Sequence, residues 1–264
     1  MFFEYSPGKK IYCEMHGSGQ PLLFVPGWTM DHTVFLKQKE YFQKTHRVIL
    51  FDPPGCGSSS RFERYDFSLY VNVLKAFVEH LDLRELNIVA WSMGGEIAIR
   101  YCAAEQGRIQ SLSLVCSTPS FIQRDEWQHG MQVPAAKRFL KGLSRDPAAT
   151  FSFFRKEVLV QVDQDNTLEE ILIKAGIRTD LKMAQDMFSE LMVQDVRPLL
   201  PRLNVPVYVI GGVHDAVCRP EASEFMSEHI PGAALTMMDA GHVPFLSSSD
   251  LFNNQLHNYI SKKH

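Results

Sequence analysis

The sequence predicts an α/β fold: a mostly parallel central sheet with helices on both faces and an inserted helical cap. Three observations predict it. Short apolar runs bounded by turn residues alternate with segments of helical periodicity, the pattern of βαβ units. One run, Leu86-Asn87-Ile88-Val89, passes through Ala90-Trp91-Ser92-Met93-Gly94-Gly95 into the helix-like Glu96-Ile97-Ala98-Ile99-Arg100. The alternation stops between residues 117 and 198, where helical patterns occur without a convincing strand, and then resumes.

In chain order, strands are expected at 11–13, 22–25, 48–51, 88–90 and 111–116, and again at 205–210 and 234–238. A helix is expected over 67–81, where Leu69, Val73, Phe77 and Leu81 recur every four residues as one apolar face. Residues 1–116 and 199–264 then form the core, and residues 117–198 a cap over the strand ends, placed to shape a cavity and exclude water.

With 264 residues, 45% of them hydrophobic, the chain can bury one such sheet and carry the insertion as well. A net charge of −3 offers no basic surface for nucleic acid. Five cysteines without paired spacing point to a reducing compartment and no disulfide framework. The first ten residues lack the apolar core of a secretion signal, and no run reaches the ~18 apolar residues of a membrane span. A monomeric cytoplasmic protein is expected, without membrane or nucleic-acid partners.

Ser92, with small residues two before and two after it on a strand-to-helix turn, has the shape of a nucleophile elbow. Ser-x-Gly alone is a weak signal, and an ordinary turn would look the same. A serine hydroxyl needs a base within hydrogen-bond reach, and the base needs a carboxylate to orient it, in the chain order serine, acid, histidine on such folds. The run 205–210 leads into Gly211-Gly212-Val213-His214-Asp215, and the run 234–238 into Asp239-Ala240-Gly241-His242. Asp215 and His242 therefore fall just past the carboxyl ends of predicted strands, the edge where sites of open sheets assemble. Asp239 is the rival acid, but only three residues before His242 it is poorly placed to support the imidazole. No His or Cys spacing supports a metal centre, and no cofactor is implied.

The apolar run 21–25 leads into Pro26-Gly27-Trp28-Thr29-Met30, a loop suited to an oxyanion hole built from the backbone amides of Trp28 and Met93. Trp28 is equally a large aromatic suited to packing. The turn Asp52-Pro53-Pro54-Gly55-Cys56-Gly57-Ser58-Ser59 lacks the third glycine of a dinucleotide fingerprint, and no phosphate loop occurs elsewhere.

Within the insertion Lys137, Arg138, Lys141, Arg145, Arg155 and Lys156 face a single acid, Asp146, whereas residues 157–170 carry only acids. Two solvated faces of opposite sign that pair with each other would give this pattern. So would a basic patch that draws an acidic partner to the pocket mouth. Phe139, Leu143, Phe151, Phe153 and Phe154 are interleaved among these charges and serve either as packing or as the lining of an acyl tunnel.

Taken together, Pro26-Gly27-Trp28, Trp91-Ser92-Met93-Gly94-Gly95, Ser117-Thr118-Pro119-Ser120-Phe121, Arg124-Asp125-Glu126-Trp127 and Ala240-Gly241-His242-Val243-Pro244-Phe245 resemble the α/β-hydrolase family. Within it they most resemble the pimeloyl-[acyl-carrier protein] methyl ester esterases of biotin synthesis. The resemblance runs from about Pro21 to Tyr259 and is weakest in the cap. It implies a carboxylesterase in which Ser92, Asp215 and His242 form a triad, Trp28 and Met93 line the oxyanion site, and Phe154 touches the substrate's acyl chain. It also implies an acyl carrier protein as the partner bearing a pimeloyl methyl ester. Pro26 stands where the family has histidine, and Ala90 where it has the first elbow glycine. The family's docking arginines do not align cleanly; Arg155 and Lys156 offer substitutes from a shifted position. A thioesterase, a carbon–carbon hydrolase or a broad short-chain esterase would share the same triad, and a non-catalytic binding protein could share the scaffold.

Overall fold

A computed structural model of the protein describes residues 1–160 and 166–262. Eight strands form one sheet in the order β1-β2-β4-β3-β5-β6-β7-β8. They are β1 (Phe2–Ser6), β2 (Lys9–His16), β3 (Pro21–Val25), β4 (Arg47–Phe51), β5 (Leu86–Trp91), β6 (Ile109–Val115), β7 (Val207–Gly212) and β8 (Ala234–Met238). β1 pairs antiparallel with β2 and β2 antiparallel with β4, while every other pairing is parallel. β1 is absent from the sequence reading. Only Phe3 of its five residues is buried, so this edge strand carries no two-faced apolar run to announce it.

The central strands bury both faces, and alternate side chains of each go to different cores. Leu23 and Val25 of β3, with Ile88 and Ala90 of β5, pack on one side. There they meet α2 (Phe67–His80), α3 (Met93–Ala104) and α8 (Pro220–His229). Leu22 and Phe24, with Val89 and Trp91, pack on the other side, against α1 (Leu36–Phe42) and α9 (Ser249–Ile260). A strand buried on both faces needs near-continuous apolar sequence, which is why β5 was legible.

On α2 the buried positions are Phe67, Tyr70, Val73, Leu74, Phe77 and Val78, a three-and-four spacing. The expected four-residue stripe drifts about 40° per step on a helix of 3.6 residues per turn, so its two ends, Leu69 and Leu81, are only half-buried. Asp66 starts this helix by accepting the Leu69 amide at 2.8 Å.

Among the described residues, four α-helices lie between β6 and β7, α4 (Val133–Arg145), α5 (Pro147–Val158), α6 (Asn166–Gly176) and α7 (Leu181–Leu191), followed by a short 3-10 helix (Arg197–Arg202). Phe139 and Leu143 of α4, with Met183, Met187 and Phe188 of α7, join the first core. Val158 of α5 and Leu168, Leu172 and Ala175 of α6 join the second. The insertion therefore straddles the sheet edge. The two segments that connect it to the sheet are tied together: the Val196 amide donates to Pro119 O at 2.8 Å, and the Arg124 guanidinium donates to Met192 O and Gln194 O, both at 3.1 Å.

Among the described residues no helix is long and apolar enough to cross a membrane. All five cysteines are buried free thiols.

Candidate active site

Ser92 joins β5 to α3 with φ 55° and ψ −125°, a left-handed conformation that L side chains rarely adopt. The turn is held on every side. The Ser92 amide donates to Val115 O at 3.0 Å, and Ser92 O accepts from the Gly95 amide and from Ser117 Oγ, each at 2.8 Å. A Cβ on Gly94 would stand 2.7 Å from both Val25 O and Pro26 O, and one on Gly95 only 2.1 Å from Ser117 Oγ. Those glycines are what lets strand, loop and helix crowd around the serine.

The structure brings Ser92, His242 and Asp215 into one hydrogen-bonded line. His242 Nδ1 lies 2.8 Å from Asp215 Oδ2, and His242 Nε2 lies 3.0 Å from Ser92 Oγ. Asp215 Oδ1 accepts the amides of Val217 and Cys218 at 2.8 and 2.9 Å. A carboxylate fixed in this way accepts from Nδ1–H and so leaves Nε2 free to accept the serine proton. All three residues are buried. The Trp91 indole, immediately before the serine, donates to His242 O at 2.9 Å and pins the histidine loop. This brace was missed in the sequence, although a tryptophan at the end of a buried strand needs a partner for its N–H.

Asp239, the rival acid, is exposed and pairs with His214 at 2.8 Å. Cys116, Asp215 and His242 together could present three metal ligands, as could Asp31, His32 and Asp52. In the first group the acid and histidine are bonded to each other, and burial pushes the Cys116 thiol well above its ordinary pKa, which disfavours the thiolate a metal requires.

The loop carrying Trp28 lies against the elbow: a Cβ on Gly27 would stand 3.2 Å from Ser92 Cβ. Among the described residues neither the Trp28 nor the Met93 amide donates a hydrogen bond. The Trp28 side chain has the packing role as well. Its ring meets Phe139, Phe151, Phe154 and Phe188 of the insertion, and its indole donates to Ala184 O at 3.1 Å.

Two cavities flank this aromatic cluster. One, of about 640 Å³, is lined by Met131, Phe139, Phe154 and Val217, with Arg138 and Arg219 among its walls. The other, of about 290 Å³, is lined by Thr29, Met30, Phe151, Phe154 and Arg155. Phe154 is common to both and meets the Trp28 ring edge-on at 5.1 Å. Phe153 also lines the larger cavity, whereas Leu143 is plain core.

The two candidate docking cations diverge. Lys156 is exposed, whereas Arg155 turns into the smaller cavity with Nε 3.9 Å from Glu169. Lys137, Arg138, Lys141 and Arg145 on α4 are exposed and form no ion pair among the described residues. Pairing of the basic and acidic stretches is thus limited there to Arg155 and Glu169; Asp163 and Asp165 of the acidic stretch lie outside the described residues.

Glu96, one turn past Ser92, is fully buried, with neither carboxylate oxygen hydrogen-bonded among the described residues. Burial pushes its carboxyl up from 4.5 to about 8, against the lowering charges of Arg100 and Arg124. Because the folded value lies above the unfolded one, its contribution to stability is complete below about pH 4.5 and is lost as pH rises towards 8. Glu96→Gln, which keeps the shape without the charge, is expected to raise the melting temperature at pH 8 and to flatten its fall between pH 5 and 8 in scanning calorimetry. An unchanged slope would contradict this.

The family model for the α/β-hydrolase fold matches residues 20–249. The pimeloyl-[acyl-carrier protein] methyl ester esterase of Nitrosomonas europaea is 30% identical over 246 residues, 92% of this chain and 96% of that protein. Its counterpart from Nitrosospira multiformis is 29% identical over 92% of this chain and 95% of its own. An esterase from Exiguobacterium antarcticum superposes with a TM-score of 0.94 at 26% identity, covering 99% of each chain. With a strand-to-helix serine elbow at the heart of a mostly parallel sheet and this match across most of its length, the chain belongs to the α/β-hydrolase fold family.

Proposed function

We propose that this protein is a serine carboxylesterase that hydrolyses the methyl ester of pimeloyl-acyl carrier protein, freeing the pimeloyl carboxylate for biotin synthesis in the cytoplasm. The observation that carries the reading is the Ser92–His242–Asp215 line, in a chain whose relatives bear that esterase's name over almost their full length.

His242 Nε2 takes the Ser92 proton as Oγ attacks the ester carbonyl. The carbonyl oxygen becomes an oxyanion and rests on the Trp28 and Met93 amides, each such donor stabilising the transition state by about 2.7–4 kcal/mol. His242 then passes its proton to the departing methanol, leaving an acyl-serine. Water, deprotonated by His242, releases the acid by the same route, while Asp215 stays ionised and orients the imidazole. Phe154, on the wall of both cavities, is the proposed contact for the acyl chain.

An acidic carrier finds its complement on α4. Lys137, Lys141 and Arg145 repeat every four residues along its exposed side, and Arg138 stands on the wall of the larger cavity. Arg155, turned inward beside Glu169, suits this docking less well than Lys156 or the α4 residues do.

The test compares pimeloyl-acyl carrier protein methyl ester with free dimethyl pimelate. The carrier-bound ester is expected to have the higher kcat/KM. Lys137→Glu with Lys141→Glu is expected to raise its KM about tenfold at low salt and leave the free ester unchanged. Equal use of both esters by the wild type would defeat the carrier reading, and loss of the whole acyl group from the carrier would indicate a thioesterase.

A further inference from the structure

The connector between α6 and α7, residues 177–180, and the end of α6 meet the loop of the proposed oxyanion donor through a set of polar bonds. Thr179 Oγ1 donates to Thr29 O at 2.6 Å. Arg178 donates through one nitrogen to Asp31 Oδ2 and through another to Ser58 Oγ, both at 3.0 Å. The Asp31 amide donates to Ala175 O at 2.9 Å, and the Asp180 amide to Gly55 O at 2.8 Å. One guanidinium thus bridges the loops that follow β3 and β4.

Both loops rest on a buried charged group. Asp52, at the end of β4, accepts His32 Nδ1 at 2.5 Å, the His32 amide at 3.0 Å and the Ser58 amide at 2.7 Å. His32 Nε2 faces Glu14 of β2 at 3.3 Å, and the Tyr12 ring packs on the imidazole. Burial alone would lower the His32 pKa, but the Asp52 bond and the charges of Asp52, Glu14 and Asp31 outweigh it and raise it. Asp31, almost wholly buried, receives the Thr33 amide at 2.9 Å and the Thr33 hydroxyl at 2.5 Å through its other oxygen.

Thr29 needs this bracing. It is β-branched yet has φ 65°, a conformation kept only where its surroundings impose it. The same loop carries the Trp28 amide, and the Trp28 indole is held by Ala184 O on α7.

We propose that Arg178 and Thr179 are positioning residues for the oxyanion site: the insertion, latched through them to Asp31, Ser58 and Thr29, sets the direction of the Trp28 amide. The proposal rests on the reading of that amide as an oxyanion donor. Docking of the insertion and preorganisation of the site are then one event, and anything that lifts the connector slows acylation without first weakening substrate binding.

The test uses a short neutral p-nitrophenyl ester and a trifluoromethyl ketone, which forms a tetrahedral oxyanion adduct with a nucleophilic serine. Arg178→Met and Thr179→Val are each expected to lower kcat about ten- to hundredfold while KM stays within about twofold. Affinity for the ketone falls in step with kcat/KM. Arg178→Lys keeps the Asp31 pair and recovers part of the loss, and Ser58→Ala, which removes one bond, gives a smaller loss in the same direction. Lys182→Met, which breaks only the exposed pair with Asp186, leaves both constants unchanged. A folded Arg178→Met protein with a lower melting temperature but wild-type kcat and ketone affinity would overturn the proposal. So would unchanged Arg178→Lys and Ser58→Ala proteins if Arg178→Met does not fold. A wild type that hydrolyses the ester while Arg178→Met matches it refutes the latch alone. A wild type that neither hydrolyses the ester nor binds the ketone refutes the reading of the site beneath it.

Discussion

Ser92→Ala is expected to lower ester hydrolysis by about 10⁶ in kcat, and His242→Ala by a comparable amount. The double variant is expected to be no worse than either single one, because the two groups act as one unit and each is idle without the other. The geometry is the reason. A hydroxyl 3.0 Å from an imidazole whose far nitrogen is held by a buried carboxylate is activated only while the whole line is intact. Steady-state assay of the three variants with a chromogenic ester checks this. Additive losses would mean that the two residues act independently.

Gly94→Ala is expected to damage activity and stability together. Its Cβ would stand 2.7 Å from Val25 O and Pro26 O, both backbone atoms at the end of a central strand, so neither can rotate away. Overpacking of that kind costs about 1–3 kcal/mol, and the strain falls on the loop that carries Trp28. A lower melting temperature and a reduced kcat in the fraction that folds are the expected results. Gly95→Ala meets Ser117 instead, 2.1 Å from Oγ and 2.7 Å from Cβ; rotating the hydroxyl relieves the first contact at the cost of its bond to Ser92 O but leaves the second. A Gly94→Ala protein as stable and active as wild type would show that the elbow has slack.

The parallel sheet and the line of site residues were legible for one physical reason. A strand buried on both faces must be apolar throughout, and the turns at its carboxyl end must carry whatever chemistry the sheet presents. Ser92 accordingly follows β5, Asp215 follows β7 and His242 follows β8. Strand β1 was not legible, because a single buried phenylalanine on an edge gives no pattern. Nor was the direction of the insertion's charges. Arg155 and Lys156 are neighbours in sequence, but on a helix they point about 100° apart, and only the tertiary setting, which brings Glu169 of α6 to Arg155, decides which one faces solvent. The latch of Arg178 and Thr179 was invisible for a related reason: its partners Asp31, Thr29 and Ser58 are 120 to 150 residues away, and no periodicity links them.

The central claim, that Ser92 is an activated nucleophile in a preorganised site, is tested most directly by labelling the folded protein with a fluorophosphonate and locating the adduct by peptide mass. One adduct per chain, on Ser92, abolished by prior unfolding and by His242→Ala, is the expected result. An unlabelled folded protein, or a label on another residue with ester hydrolysis intact, would contradict the account.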